Sequence, residues 1–575
     1  MEKPSLEIGN GNWAIKENSL LGHTTVDGMI LPDPITVTRA SLATRVNPSG
    51  LIEDIAFLGS EEIDNGSFTG VANGTDVTTL TNWNAYGSPT SRNVVDNKLV
   101  IVATGANQGA YYGLGTLAAG TYKLSVDITG DVGAGGLFIS SASSYNITTS
   151  VGTLEHYFEA SGSTIIFFRA AANNAGTTSY TNISLKKATI NGLAKIDYTD
   201  GTASLLVEPA RTNTAVNSEK AVLYGYNDSV NVSDVLIITP YGYTSNAVKI
   251  EAVAEDNSPI RAASFNLGSY SQNDIVTTSA YVKYNGYRYV QFGGYFGNES
   301  ARFDLIDGVV IQNLSNVISS SIKKAENGWY KLVTTYTFQN NIGNGNLYAG
   351  FVLSPETDFS FTNAPAGGLY AWGFQAELGN YATSYIKTSG TAVTRAQDKI
   401  AKTGISDKIG QTEGTFFLEL SKLTLNTPNY LLISLNNAAS NSDNNSVAIG
   451  FDQGNDDFYI RVRSDAQSTF IQSNLAAIAN AFYKVAIVYK SGASKIYING
   501  NSVGVNSGSL SGAFTFAAVL DNLSFDYNGN NVLPFEGNVR QLQVYKTALT
   551  DLEVESLTSF ASFTEMANTL NYTIY

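Results

Sequence analysis

Tyr122-Lys123-Leu124-Ser125-Val126-Asp127-Ile128 alternates without a break: its even-numbered side chains are apolar and its odd-numbered ones polar. Successive side chains of a strand point to opposite faces, so this segment reads as a strand with one buried and one wet face. Thr415-Phe416-Phe417-Leu418-Glu419-Leu420, residues 483–489 and Lys495-Ile496-Tyr497-Ile498-Asn499 read the same way. Asn285-Gly286, Asn499-Gly500 and Asn528-Gly529 read as hairpin turns, because both residue types tolerate positive φ. Helical periodicity is nearly absent. One short helix is expected where Thr550-Asp551-Leu552-Glu553 offers a capping box ahead of Val554 and Leu557. The fold expected from these patterns is all-β, a series of antiparallel β-sandwiches.

The chain has 575 residues, which at roughly 100–200 residues per domain suggests about three to five domains. With 14% charged and 43% hydrophobic residues it has the profile of a folded chain. It has no cysteine, which excludes disulfide frameworks, thiol catalysis and thiolate metal sites. Its net charge of −15 would repel phosphate backbones, so nucleic acid is excluded as a partner. No stretch approaches the roughly 18 apolar residues of a membrane helix, and no membrane insertion is expected. Met1-Glu2-Lys3-Pro4 opens without the basic-then-apolar pattern of a signal peptide. A soluble protein made in a cytoplasm is therefore expected, unless something other than secretion carries it out, as release inside a virus particle by lysis would.

Two segments share an order of features. The first runs from Ile63-Asp64-Asn65-Gly66-Ser67-Phe68 and Asn82-Trp83 through the opening strand to 164–168 and closes at Tyr180-Thr181-Asn182-Ile183-Ser184-Leu185. The second carries Thr278-Ser279-Ala280-Tyr281-Val282-Lys283, then 327–333, then Leu369-Tyr370-Ala371-Trp372-Gly373-Phe374. A duplicated jelly-roll module explains both. The divisions expected are an N-terminal anchoring segment 1–60, a first jelly roll 61–190, a linker 191–214, a second jelly roll 215–400, a third sandwich 401–558 and a tail 559–575. Phe560, Phe563, Tyr572 and Tyr575 give that tail the means to pack on a neighbour or on the last sandwich.

On these residues the first two modules resemble β-sandwich carbohydrate-binding modules. The third resembles the laminin-G/concanavalin-A-like sandwich, through Glu413-Gly414-Thr415-Phe416-Phe417, the strand at 483–489, Lys495-Ile496-Tyr497-Ile498-Asn499-Gly500 and the run from Phe535 to Thr550. The connecting pieces resemble structural proteins of tailed bacteriophages: Glu7 to Ala14, Thr38 to Asn47, Ser204 to Asn213, and Gly379 to Ile386 with Val393-Thr394-Arg395. That resemblance implies a virion protein, a tail or head fibre or a capsid-surface protein. It implies other virion proteins and further copies of itself as partners, with a trimer expected by analogy with fibres.

Arg39, Arg45, Arg211 and Arg395 recur beside module borders in a cation-poor chain. A guanidinium is a rigid donor fork, so these four are expected to lock modules together or against a neighbouring subunit. Exposed arginines in solvated loops are the plainer alternative.

Material for catalysis is thin. The two histidines, His23 and His156, are far apart and have no serine elbow nearby. Glu419 stands alone on its strand, and no run of alternating acids suits two-carboxylate glycoside hydrolysis. No reaction, metal or cofactor is therefore expected, with a polysaccharide depolymerase as the alternative function. Asp443-Asn444-Asn445 and Asp452-Gln453-Gly454-Asn455-Asp456-Asp457 could offer oxygens to calcium, yet the same residues are the usual turn formers. Gly133-Ala134-Gly135-Gly136 opens no helix and reads as a turn rather than a phosphate loop.

Sugar contact has better material. Period two in Tyr287-Arg288-Tyr289-Val290-Gln291-Phe292 puts Tyr287, Tyr289 and Gln291 on one face, outward if Val290 and Phe292 face the core. Flat aromatic surfaces beside an amide suit sugar rings and their hydroxyls. Trp83 and Tyr86, with Tyr111 and Tyr112, could act likewise in the first module, whereas Trp329 and Trp372, embedded in apolar strands, read as core. The function expected is an outward-displayed virion component that binds bacterial surface glycan.

Overall fold

The computed structural model describes the chain except for residues 1, 17–18, 134–135, 148, 150, 171–174, 220–223, 226–229, 253–259, 295–297, 340–345, 355–356, 358, 360–366, 425–428, 440–443, 455, 466, 473, 528–532 and 561–575. It divides into two compact units: residues 1–55, 191–211 and 394–575 in one, and 56–190 with 212–393 in the other. Both are all-β and antiparallel in their ladders.

In the first unit, Glu413–Lys422 lies between Tyr483–Lys490 and Gly537–Tyr545. A second run joins Leu431–Asn436, Ser446–Phe451 and Phe458–Ser464. The strand Gly537–Tyr545 also pairs with Leu6–Gly9 and with Ser204–Val207. Met29–Thr38 pairs with Lys399–Thr403, which continues to Asn522–Ser524. Segments that the sequence reading set apart as anchor and linker thus supply strands to this sandwich. Leu6, Ile8, Leu205, Val207 and Ile400 are buried in one core with Phe416, Leu418 and Leu542. Leu6–Gly9 and Ser204–Val207 have four residues each, too few for alternation to show without the partners that bury them.

The short helix Asp551–Thr558 has Thr550 as N-cap, with the Thr550 N–H donating to Glu553 Oε2 at 3.0 Å. It buries Val554 against Phe417, Val488 and Tyr497. Asn499 and Gly500, at φ +49° and +80°, make the expected tight turn between Lys495–Ile498 and Asn501–Val503. Asn528-Gly529 lies outside the described residues, as do Asp443, Asn455 and the tail beyond Phe560.

In the second unit, the first module is organised by two long strands, Gly109–Gly130 and Gly152–Arg169. Their shared ladder shifts register between Gly113 and Thr116 and again between Leu117 and Gly120. Bulges of this kind bend a strand, so each long strand contributes to two layers. The first half of Gly109–Gly130 pairs with Trp83–Tyr86, and its second half pairs with Gly176–Thr189. Tyr122, Leu124, Val126 and Ile128 are all buried.

The second module packs two six-stranded sheets. Val276, Val282, Leu332 and Phe374 of one meet Val290, Phe292, Phe303 and Phe351 of the other in a common core. Asn285-Gly286 is not a hairpin here. Ile275–Asn285 belongs to one sheet and Tyr289–Gly293 to the other, so Gly286, at φ +110°, carries the chain across the core. The dipeptide offers the same backbone freedom to a crossing as to a hairpin, and only the sheet assignment separates the two. Trp329 and Trp372 are buried.

Candidate functional site

The bent strands of the first module set up an outer face. Ala110, Tyr112, Ile166 and Phe168 are buried in the core, so alternation sends Tyr111, Phe167 and Arg169 outward. Tyr111 is paired with Phe167, and Phe167 with Phe138 on the next strand. Ring centroids are 5.4 Å apart for Tyr111 and Phe167, 5.6 Å for Phe138 and Phe167, and 4.7 Å for Tyr86 and Phe167. The Arg169 guanidinium lies 5.1 Å from the Phe138 ring centre, 5.3 Å from that of Tyr86 and 5.9 Å from that of Phe167. All five side chains are partly exposed. This is an aromatic platform carrying a cation.

Trp83 and Tyr112, grouped with Tyr86 in the sequence reading, are elsewhere. Trp83 is 4% exposed and packs against Phe68, Tyr112 and Phe168 at 5.6, 5.2 and 5.3 Å. The buried Tyr112 hydroxyl accepts from the Asp64 N–H at 3.1 Å. Both belong to the core and cannot touch a ligand, because their strand positions alternate with those of Tyr86 and Tyr111. Phe138, Phe167 and Arg169 were missed; the polar loops around them hide the pattern until the ladder aligns three strands.

In the second module, the outward grouping of Tyr287, Tyr289 and Gln291 is corrected at Tyr287. The strand begins only at Tyr289, so alternation does not extend back to Tyr287. Tyr287 sits in the core with Val290 and Phe292, and burial pushes its phenol up to about 12. Tyr289 is partly exposed, with the Arg288 guanidinium 5.2 Å from its ring centre. Gln291 is buried, and its Oε1 accepts from Arg302 Nε at 3.2 Å.

The four border arginines differ from one another. Arg39 and Arg395 are buried in an ion cluster inside the first unit. Arg39 Nη1 lies 2.6 Å from Asp398 Oδ1, Lys195 Nζ lies 2.6 Å from Asp398 Oδ2, and Arg395 Nη1 lies 2.6 Å from Glu208 Oε2, which Lys195 also contacts. Burial pushes the Asp398 carboxyl up, but Lys195, Arg39 and Arg395 outweigh it and hold the group below its ordinary value. Burial, with Arg395 alongside, holds Lys195 below the usual lysine range against the pull of Asp398 and Glu208. The cluster joins all three chain segments of the unit. Arg45 is partly exposed, with its Nε 2.7 Å from Glu53 Oε1 and its Nη1 donating to the Ile196 carbonyl at 3.0 Å. Arg211, partly exposed, donates from Nη1 to the Ala210 carbonyl at 3.2 Å.

A groove of about 460 Å³ in the first unit is lined by Trp13, Gly201, Thr202, Glu419, Arg540 and Gln541 among others. Gln541 Nε2 donates to Glu419 Oε2 at 2.8 Å. Arg540, 3.4 Å from Glu419 Oε1, rests 3.6 Å from the Phe482 ring centre. Among the described residues no group of three or more acids and histidines could hold a metal, and Asp456 is engaged by Lys422 at 2.9 Å. No described helix is long and apolar enough to cross a membrane.

His156 is partly exposed at its strand, but its Nε2 is buried without a hydrogen-bond partner. Burial, with Lys387 nearby, lowers its pKa to about 4. A histidine neutral in the fold and protonated in the unfolded chain favours unfolding between these two values. Stability of the second unit is therefore expected to be complete above pH 6.5 and to fall toward pH 4, by up to about 3 kcal/mol from this group. Denaturant unfolding at pH 7 and pH 4.5 of the parent and of His156→Gln checks this; the variant should show the smaller drop.

No curated protein matches the chain. The Ruminococcus gnavus IT-sialidase CBM40 is similar in structure at 18% identity and a TM-score of 0.23, over 26% of this chain and 84% of that one. The Trypanosoma rangeli sialidase in complex with the inhibitor DANA is similar at 11% identity and a TM-score of 0.21, over 93% and 95%. Because an enzyme stands among the matched structures, the expectation that this chain is not an enzyme is withdrawn. Likeness at these TM-scores carries no reaction over to it. In sequence, residues 418–555 match the family model Laminin_G_3, the Concanavalin A-like lectin/glucanases superfamily, which places a laminin-G/concanavalin-A-like domain on the C-terminal sandwich.

Proposed function

We propose that this protein binds glycan through the outer face of its first module, as an outward-displayed component of a tailed-phage particle that recognises the bacterial surface. The observation that supports binding is the platform of Tyr86, Tyr111, Phe138 and Phe167, whose rings lie side by side and partly exposed across neighbouring strands. Sugar rings have apolar faces that stack on aromatic surfaces, and hydroxyls that neighbouring polar groups can satisfy. The virion reading draws its support from the resemblance of the connecting segments, and association into trimers from the same analogy.

Titration with a panel of bacterial surface polysaccharides tests the binding. Tyr86→Ala combined with Phe167→Ala is expected to weaken it about ten-fold or more, at about 0.5–1.5 kcal/mol per ring contact. Undiminished binding by that double variant would remove this face from the proposal. New reducing ends after the same incubation would assign a hydrolytic activity as well. Antibody labelling of intact particles tests the virion reading: labelled tails or heads support it, and unlabelled particles overturn it. A monomeric mass at micromolar concentration would overturn the trimer.

A further inference from the structure

Resting on the reading that the first module's outer face binds glycan, we infer that Arg169 selects an acidic sugar there by pairing with its carboxylate. Arginines of this acidic chain mostly have partners. Arg45 lies 2.6 Å from Glu53, Arg92 3.1 Å from Asp76, Arg288 2.7 Å from Asp304, and Arg39 and Arg395 are in the buried cluster. Arg302 bonds two glutamines, and Arg461 bonds a tyrosine and a serine hydroxyl. Arg169 departs from this pattern. Among the described residues its guanidinium makes neither an ion pair nor a side-chain hydrogen bond; a buried Nε without a partner it shares with Arg395 and Arg461. What surrounds it is aromatic: the rings of Phe138, Tyr86 and Phe167.

Stacking on rings holds a guanidinium flat without using its in-plane donors. With the Nε buried, the two Nη groups are the donors left for a carboxylate, and their spacing matches its two oxygens in a bidentate pair. The ladder leaves room for it. Gly109 is the residue opposite both Tyr86 and Arg169, and it contributes no side chain between them. A Cβ at Gly109 would lie 2.0 Å from the Phe168 carbonyl oxygen, so the strand approach itself excludes a larger residue. Tyr111, Phe167 and Phe138 stand in one cross-strand row, and neighbouring strands are about 4.8 Å apart, so the row spans about 10 Å, enough for one or two sugar rings. A pyranose lying on that row places a ring carboxylate beside Arg169.

The charge of the whole chain works the other way. At −15 it repels an acidic polymer, so the attraction is local and screened by salt. Selectivity for acid on an acidic protein therefore depends on this one cation.

Polygalacturonate and hyaluronate, each beside its methyl ester, separate carboxylate from ring recognition, because esterification removes the charge and keeps the backbone. The full-length protein should retain at least one acidic polymer about ten-fold better than its ester in affinity electrophoresis, and less so in high salt. Arg169→Gln should abolish that preference while leaving ester binding within about two-fold, and Arg169→Lys should keep part of it. Unchanged melting of both variants verifies folding. Equal retention of acid and ester by the parent, or a preference surviving in Arg169→Gln, would overturn the role of Arg169 while Tyr86→Ala with Phe167→Ala still weakens ester binding. Failure of the parent to bind any of the four polymers, or indifference of ester binding to that double variant, would instead overturn the glycan reading of the face and this inference with it.

Discussion

Asp398→Ala is expected to lower the stability of the unit formed by residues 1–55, 191–211 and 394–575 by about 3–5 kcal/mol. The Asp398 carboxylate answers two buried cations, Arg39 and Lys195, both 2.6 Å away and with side chains 0% exposed. It also accepts the Glu208 backbone N–H at 2.9 Å. Truncation leaves three buried cations, Arg39, Lys195 and Arg395, with Glu208 as the remaining acid of the cluster, and desolvated charge without compensation is costly. Because the chain has two compact units, unfolding in denaturant should show two transitions. The variant should move the one belonging to this unit and leave the other in place. A shift below about 1 kcal/mol would mean that the cluster behaves like solvated surface pairs. The expected loss measures a broken network rather than the worth of the intact one, since well-packed apolar replacements of a buried ion cluster can be as stable.

Trp83→Ala is expected to destabilise the other unit by about 3–5 kcal/mol, the range for emptying a large buried aromatic site. The indole is enclosed by Phe68, Tyr112 and Phe168 at ring distances of 5.2–5.6 Å. Its removal opens a cavity where two layers meet, and the bent strands on both sides are long and cannot collapse into it without breaking their ladders. Tyr86→Ala, three residues along the same strand but on the outer face, should cost less than about 1 kcal/mol. Glycan affinity should respond in the opposite order, falling for Tyr86→Ala and holding for Trp83→Ala wherever the latter remains folded. Thermal melts and polysaccharide titrations of the two variants check both halves. Loss of affinity in a stably folded Trp83→Ala would return the indole to the ligand surface.

Local pattern carried much of the fold. Alternation through 122–128, 415–420 and 483–489 marked strands that the structure contains, and the capping box at Thr550 marked the helix. Where pattern failed, the cause was a partner distant in sequence. Leu6–Gly9 is a strand because Gly537–Tyr545 lies alongside it, more than 500 residues later. Tyr287 looked like the start of an outward row, and the crossing at Gly286 put it in the core. Phe138 and Arg169 gave no signal of their own, since each becomes part of a surface only beside a strand from elsewhere.

By itself the sequence determined an all-β chain, because period-two alternation is a property of neighbours along the backbone and strand geometry follows from it directly. It also set the excess of acid that makes an unpaired arginine conspicuous. Which strands bring their side chains together on one face was decided by tertiary structure alone. Register between strands depends on bulges, layer crossings and distant partners, and a one-residue shift exchanges core for surface. The platform around Arg169 and the cluster around Asp398 both exist at that level, assembled from segments that no local spacing connects.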